Sequence, residues 1–76
     1  MAREQRIEIL AEMVANVLVV EVAVGDAVAI GDTVVLLESM KMEIPVIAEA
    51  AGTVTAVKVA VGDVVQEGDP LVELTG

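Results

Sequence analysis

The sequence predicts an all-β fold, and three observations support this prediction. Hydrophobic residues make up 57% of the 76-residue chain, although none of them is aromatic. Valine is the commonest residue, and branching at Cβ favours the pleated backbone of a sheet over a helix. The chain also repeats itself in two halves that contain the same Gly-Asp turns. We therefore expect a flattened barrel or sandwich of two four-stranded antiparallel halves related by a pseudo-two-fold axis.

The repeat is evident when the sequence is shifted by 37 positions. Residues 7–39 then overlay residues 44–76 without a gap, and nearly half of the paired positions are identical. The strongest block is Val22–Asp26, which has the same five residues as Val59–Asp63. Two copies are too few for a solenoid, so each half is expected to bury an apolar face against the other. We interpret the 76 residues as one domain and residues 1–6 as an extension that precedes the repeat.

Each half predicts the same order of elements. These are a short apolar strand (Ile7–Leu10 or Ile44–Ile47), a small-residue turn (Ala15-Asn16 or Gly52-Thr53) and a longer strand (Val17–Val24 or Val54–Val61). Val17 and Val54 have the wrong parity for the apolar face of the longer strand, which predicts a bend or a bulge at its start. Two Gly-Asp turns follow, because glycine permits positive φ and aspartate closes turns through its own backbone. The turns enclose one valine, Val28 or Val65, that we expect to be buried. A last strand follows, Thr33–Glu38 or the segment that begins at Pro70.

The two halves are joined by the sequence Glu38-Ser39-Met40-Lys41-Met42-Glu43. It lies between the predicted strands Thr33–Glu38 and Glu43–Ala48, and two strands joined this closely predict a hairpin with Lys41 at its exposed tip.

The repeat also predicts where this tip lies. Glu4 is the mate of Lys41 in the first half, and its mate in the second half falls beyond Gly76. The two chain termini therefore take the place of the hairpin that is equivalent to the tip. We expect Lys41 at one end of the domain and Met1 and Gly76 at the other.

Composition argues against several classes of function. A net charge of −9, from 13 acidic and 4 basic residues, disfavours binding to nucleic acid or an anionic membrane, which requires patches of Lys and Arg. No uncharged run approaches the ~18 residues of a membrane span. The chain has no Cys and no His, which excludes metal binding by thiolate or imidazole and leaves few groups for acid–base catalysis. We expect a non-catalytic protein in the cytoplasm, with aspartates that close turns rather than bind calcium.

Lys41 is the strongest candidate for a functional residue. A solvated turn lysine is the ordinary interpretation, but hairpin tips favour Gly, Asn or Asp, and two flanking methionines add nothing to solubility. An amine on a stiff tip, in a chain with almost no other reactive group, indicates an attachment point. Met40 and Met42 either fill gaps between strands or form an apolar surface that an attaching enzyme recognises. Lys58, the only other lysine, is interpreted as a surface charge.

The triplet Met40-Lys41-Met42 resembles the biotin-attachment sequence of biotin carboxyl carrier domains, and the resemblance covers roughly Leu10 to Leu74. Lipoyl carriers, which share the fold, usually have Asp-Lys-Ala at this place. Ser39 stands where many biotin carriers have Ala. The resemblance implies biotin in amide linkage to Lys41, on an arm of about 14 Å measured from Cα.

The same resemblance implies three protein partners. A biotin protein ligase attaches biotin, a biotin carboxylase adds a carboxyl group to it, and a carboxyltransferase passes that group to an acceptor. Glu38, Ser39 and Glu43 are weaker site candidates, interpreted either as solvated strand ends or as residues that orient the hairpin in the ligase. Two alternatives remain open, a lipoyl carrier and an unmodified β interaction module. Met1 and an end just past the last strand favour a free-standing small protein.

Overall fold

The structure is a computed structural model that describes residues 5–76, and these residues form eight strands and no helix. In chain order the strands are β1 (Arg6–Leu10), β2 (Ala15–Val20), β3 (Ala27–Val28), β4 (Thr33–Ser39), β5 (Met42–Ile47), β6 (Gly52–Val57), β7 (Val64–Val65) and β8 (Pro70–Thr75). They build two four-stranded sheets with the orders β1-β8-β6-β3 and β5-β4-β2-β7, and all pairings are antiparallel. The predicted all-β fold is confirmed. Within this part of the chain no helix is present that could cross a membrane.

The two sheets are related by the sequence repeat. A shift of 37 residues converts β1, β8, β6 and β3 into β5, β4, β2 and β7, so one sheet becomes the other. Each sheet contains two strands from each half of the chain, because β1 pairs with β8, β3 with β6 and β2 with β7. The pseudo-two-fold symmetry is as predicted, and the two halves of the sequence are interleaved. Neither half can therefore complete a sheet without the other.

The core lies between the two sheets and consists only of aliphatic side chains. Its largest fully buried members are Leu37, Leu71, Leu74, Val17, Val34, Val35, Val54 and Val72. Within residues 5–76 no polar or charged side chain is buried. Val28 and Val65 are 7% and 2% exposed, which confirms that the Gly-Asp turns enclose a buried valine in each half.

The Gly-Asp turns have the geometry that their sequence predicts. In all four, glycine has φ between 91° and 99°, a conformation that residues with a Cβ rarely adopt. Oδ2 of the following aspartate accepts a hydrogen bond of 2.9 Å from the backbone N–H three residues earlier. The aspartates therefore close turns. Within the described residues no group of three or more His, Cys, Asp or Glu side chains could hold a metal ion.

The predicted bounds of the longer strands are wrong at both ends. β2 already includes Ala15 and Asn16, which were assigned to a turn, because these residues pair with Val65 and Val64 of β7. The chain leaves the sheet after Val20 rather than Val24. β6 differs from its prediction in the same way. Of the predicted bend or bulge, the structure has a bulge, since the register shifts between Val17 and Val19 in β2 and between Val54 and Ala56 in β6.

The prediction that residues 1–6 are an extension is wrong for the last two of them. Arg6 begins β1 opposite Thr75, and Gln5 exchanges two backbone hydrogen bonds with Gly76, of 3.0 and 3.4 Å. The physical reason is the repeat, because the equivalent strand β5 begins at Met42, the mate of Gln5. Residues 1–4, including Met1 and Glu4, lie outside the described residues.

Candidate functional site

The hairpin between β4 and β5 has the predicted lysine in its loop. Ser39 and Met42 form the last cross-strand pair, so the loop consists of Met40 and Lys41 alone. φ is 53° at Met40 and 65° at Lys41, and positive φ at both central residues is the signature of a type I′ turn. Among residues 5–76 these are the only non-glycine residues with positive φ. Because a left-handed conformation costs a residue with a Cβ about 1–2 kcal/mol, backbone strain is concentrated at this loop.

The strands below the loop fix its position. Leu37 of β4 is buried, and Ile44 and Val46 of β5 pack against the same core. β5 is an edge strand because it pairs only with β4. An edge strand tolerates Pro45, which lacks an N–H group, since one side of the strand makes no ladder bonds. The loop is thus held on a rigid support from both sides.

The side chains of the loop face solvent. Lys41 is exposed and takes part in none of the side-chain hydrogen bonds formed by residues 5–76. The one ion pair in this part of the chain joins Arg6 and Glu73. Met40 is 91% exposed and Met42 61%, so the interpretation that they fill gaps between strands is wrong. The arrangement offers an accessible amine between two apolar side chains.

Two carboxylates and a hydroxyl lie directly below the loop. Glu38 and Ser39 are half-buried, and Glu43 is exposed. Glu38 and Glu43 are cross-strand partners, and like charges in that position repel each other by about 0.2–1 kcal/mol. They add to the negative field that the net charge of −9 produces. The structure therefore brings all six predicted site residues into one hairpin, and their individual roles stay predictions.

The loop and the C-terminal residue lie at opposite ends of the fold. β5 runs from Met42 beside the loop to Ile47, a distance of about 17 Å at the usual strand rise. The turn that follows β5 reaches Gly76, because a methyl group added to its Cα would be 3.1 Å from the carbonyl oxygen of Ala51. This arrangement agrees with the prediction for Lys41 and Gly76.

Two residues that lie beside the hairpin, Asn16 and Val64, were not among the predicted site residues. Asn16 is the cross-strand partner of Glu38 on one side and of Val64 on the other. Neither was predicted there, because Asn16 was assigned to a turn and a two-residue strand such as β7 is too short to show periodicity. The one signal in the sequence is that Asn16 interrupts the otherwise apolar run from Met13 to Val20.

A cavity large enough for a small ligand lies elsewhere. It has a volume of about 420 Å³ and runs between the edge strands β1 and β5. Its walls include Ile9 and Val46 but not Lys41 or its flanking methionines. The exposed loop amine is therefore not part of this cavity.

The chain matches a known protein family over most of its length. A family model described as "Biotin-requiring enzyme" matches residues 7–74. The chain belongs to the biotin/lipoyl attachment family. As an attachment domain of this family, it is a carrier domain rather than a catalytic one.

Curated relatives within this family are biotinylated proteins. The chain is 66% identical over 38 residues to the "Biotinylated protein TB7.3 homolog" of Mycolicibacterium smegmatis, which corresponds to 50% of this chain and 54% of that protein. The homologue from Mycobacterium leprae is 60% identical over the same length. The chain thus spans about half the length of the curated relatives it matches.

Solved structures of this fold include carboxylases and a lipoyl domain. A single-chain, multi-domain long-chain acyl-CoA carboxylase matches with a TM-score of 0.87 and 33% identity, over 92% of this chain and 7% of that one. The urea carboxylase of Kluyveromyces lactis matches with a TM-score of 0.86 and 30% identity, over 97% and 6%. The lipoyl domain of the 2-oxoglutarate dehydrogenase complex from Azotobacter vinelandii matches with a TM-score of 0.71 and 30% identity, over 83% and 80%. The predicted resemblance to biotin carboxyl carrier domains is confirmed.

Proposed function

We propose that this chain is a biotin carboxyl carrier and that biotin is joined by an amide bond to Nζ of Lys41. The observation that carries the proposal is the strained, exposed Met40-Lys41 loop within a Met-Lys-Met triplet. The strain matters because a fold of this kind could close the hairpin with Asn-Gly at lower energy. A strained residue that persists at an exposed place is a common feature of functional sites.

The residues of the loop fit the attachment of biotin. The amine of Lys41 is exposed and forms no ion pair within residues 5–76, so no salt bridge has to break before the amine is acylated. When a ligase presents biotin with its carboxyl group activated, Nζ forms a bond to the carboxyl carbon as the bond from that carbon to the activating group breaks and that group leaves. The amine loses its protons to solvent, and the lysine charge is removed. Biotin, when bound, supplies a ureido nitrogen that carries a carboxyl group. The exposed side chains of Met40 and Met42 provide the apolar surface next to the amine.

The chain contributes position and reach to the transfer. The loop is held by β4 and β5, so each partner meets the attachment point at a nearly constant position on the domain. The arm of about 14 Å then allows the attached group to reach active sites without diffusing away, which raises its effective concentration. We propose that the partners are a biotin protein ligase, a biotin carboxylase and a carboxyltransferase.

A lipoyl carrier is the second candidate, and one observation favours it. The chain matches 80% of a lipoyl domain with a TM-score of 0.71. The carboxylases match with higher TM-scores, and the relatives that share up to 66% identity are biotinylated proteins. Both observations support biotin over lipoate.

The experiment that tests this proposal is intact-mass measurement after co-expression with a biotin protein ligase. We expect one biotin adduct on the natural protein and none on Lys41→Arg. Lys58→Arg is the matched control, because Lys58 is also exposed but lies on neither hairpin strand, and it should be modified like the natural protein. A lipoyl adduct in cells that supply both groups would favour the second candidate, and an unmodified natural protein would exclude both carriers.

Carriage of a carboxyl group needs a separate measurement. The biotinylated protein is incubated with an extract of the source cells, ATP and isotopically labelled bicarbonate. Label should become bound to the natural protein and to Lys58→Arg, but not to Lys41→Arg. Biotinylation without any bound label would leave attachment intact and contradict the carboxyl-carrier role.

A further inference from the structure

A row of four side chains crosses the outer face of the sheet next to the loop. Glu43, Glu38, Asn16 and Val64 are successive cross-strand partners in β5, β4, β2 and β7. Partners in adjacent strands lie on the same face of a sheet. This face is the outer one, because Ala15 and Val65, the adjacent partner pair, are buried.

The row ends in exposed apolar surface. Val64 is 65% exposed, and Val14, which stands two residues before Asn16, is 61% exposed. Val14 directly precedes Ala15, the cross-strand partner of Val65, so the two exposed valines belong to chain segments that pair with each other. Exposed apolar side chains bordered by polar residues indicate an interaction surface. We call Val14, Asn16, Val64 and Glu38 the tip-side face.

The other sheet shows that the fold does not require these side chains. The row equivalent to Glu43, Glu38, Asn16 and Val64 consists of Arg6, Thr75, Thr53 and Ala27, which are also successive cross-strand partners. Ala51 is the mate of Val14. The same backbone is therefore built with alanine at both positions where the tip-side face has an exposed valine.

We propose that the tip-side face is the docking surface for the ligase that attaches biotin, and the proposal rests on the function proposed above. The complementary surface of the ligase consists of apolar side chains with Lys and Arg at the edge. The carboxylate of Glu38 and the net charge of −9 favour a basic partner, and the two valines supply apolar area that becomes buried on contact.

Distance assigns this face to the ligase rather than to the later enzymes. Asn16 pairs with Glu38, which precedes Lys41 by three residues, so it lies within about 10 Å of the loop along the strand. A ligase must bring the lysine amine itself into its active site, which places the adjoining sheet face against the enzyme. Enzymes that act on the attached group meet it at the end of an arm of about 14 Å.

The test is a kinetic comparison of two double variants with the cognate biotin protein ligase. Val14→Ala/Val64→Ala copies the residues of the other sheet. We expect the KM of biotinylation to rise about tenfold, with kcat within about twofold of the natural value. Val24→Ala/Ile30→Ala is the matched control, because these residues are 64% and 71% exposed but flank β3 in the other sheet. Its KM should equal that of the natural protein.

Two further measurements complete the test. Val64→Lys keeps the backbone and places a positive charge on the face, and it should raise KM more than the alanine variant if the partner is basic. Thermal unfolding of each variant shows that the fold is retained. An unchanged KM in both Val14→Ala/Val64→Ala and Val64→Lys overturns the proposal.

Other occupants give different results. An unchanged ligase KM with slower carboxylation of the biotinylated variant assigns the face to the carboxylase and overturns the proposal. So does self-association of the natural protein that the alanine variant abolishes. Failure of the natural protein to accept biotin at all contradicts the proposed function instead, before any comparison of variants is made.

Discussion

The two ends of this fold follow the same plan, but only one of them has a loop. At one end Ser39 and Met42 pair below the Met40-Lys41 turn. At the other end the equivalent residues are Gly76 and Gln5, which hydrogen-bond to each other although no loop connects β8 to β1. The strands therefore pair correctly without a connection at one of the two equivalent places. The strands themselves therefore specify the pairing at that end, and the residues of the Met40-Lys41 loop are not needed at the equivalent place.

The distribution of strain supports this division. Where the fold itself needs positive φ, in the four Gly-Asp turns, the chain has glycine. In the loop between β4 and β5, the chain has methionine and lysine with positive φ. Side chains have thus been kept at the loop despite the conformational strain, which is consistent with a role in recognition and attachment.

The largest expected effect concerns the shared core. Leu37 and Leu74 are repeat mates, and both are buried to 1% exposure or less. Leu37→Ala and Leu74→Ala should each lower the free energy of unfolding by about 3 kcal/mol, because each removes buried methyl groups and leaves a cavity. Denaturant titration of the two variants measures this. Equal losses in the free energy of unfolding would show that the two ends of the fold depend equally on the core for their stability.

The control for this prediction is a variant at an exposed apolar residue. Ile47→Ala, at a residue that is 48% exposed, should lose markedly less stability than either leucine variant. A much smaller loss for Leu37→Ala than for Leu74→Ala would mean that the loop end is stabilised independently of the shared core. The two ends of the fold would then not be equivalent.

Local patterns in the sequence were sufficient for part of the fold. The Gly-Asp repeats fixed the turns around Val28 and Val65, because glycine and aspartate act through their own backbone. The wrong parity of Val17 predicted a bend or a bulge, and the register shift of β2 shows that it is a bulge. The hairpin followed from the closeness of two strands. Each of these features depends on residues near one another in the chain.

Features that depend on distant residues were not predicted. Ala15 and Asn16 extend β2 where β7 pairs with them from the other half of the chain. Arg6 becomes part of β1 because Thr75 lies opposite. The position of Val64 beside the hairpin has the same cause. Pairing between the halves is decided by the whole fold, so no local pattern in the sequence could reveal it.

The second prediction addresses strain at the loop. Met40→Asn should raise the free energy of unfolding by about 0.5–1 kcal/mol, because asparagine adopts positive φ more readily than methionine. The melting temperature should rise by roughly 4 °C for such a small domain, while biotinylation slows because the apolar flank is lost. Thermal unfolding and intact mass measure the two effects.

Met42→Asn is the control for this prediction. Met42 is also exposed, at 61%, but it lies in β5 and does not have positive φ. Asparagine is disfavoured in strands, so this variant should gain no stability. A Met40→Asn protein that melts no higher than the natural one would show that the loop is not strained.

The smallest expected effect concerns the charged pair below the loop. Glu43 lies opposite Glu38, whereas its repeat mate Arg6 lies opposite the uncharged Thr75. Glu43→Arg should raise the free energy of unfolding by about 0.5 kcal/mol at low salt, because a cross-strand repulsion becomes an attraction. Most of the gain should disappear at 1 M salt, where the Debye length is about 3 Å. Denaturant titration at the two salt concentrations checks this, and Glu49→Arg, at an exposed glutamate outside the strands, is the control for the change in net charge.

If both variants gain equal stability, the effect belongs to the net charge of the domain and not to the pair of Glu43 and Glu38. If only Glu43→Arg gains stability and it is also a poorer substrate for the ligase, then the acidic pair opposes stability and favours recognition, as the strained loop above it does.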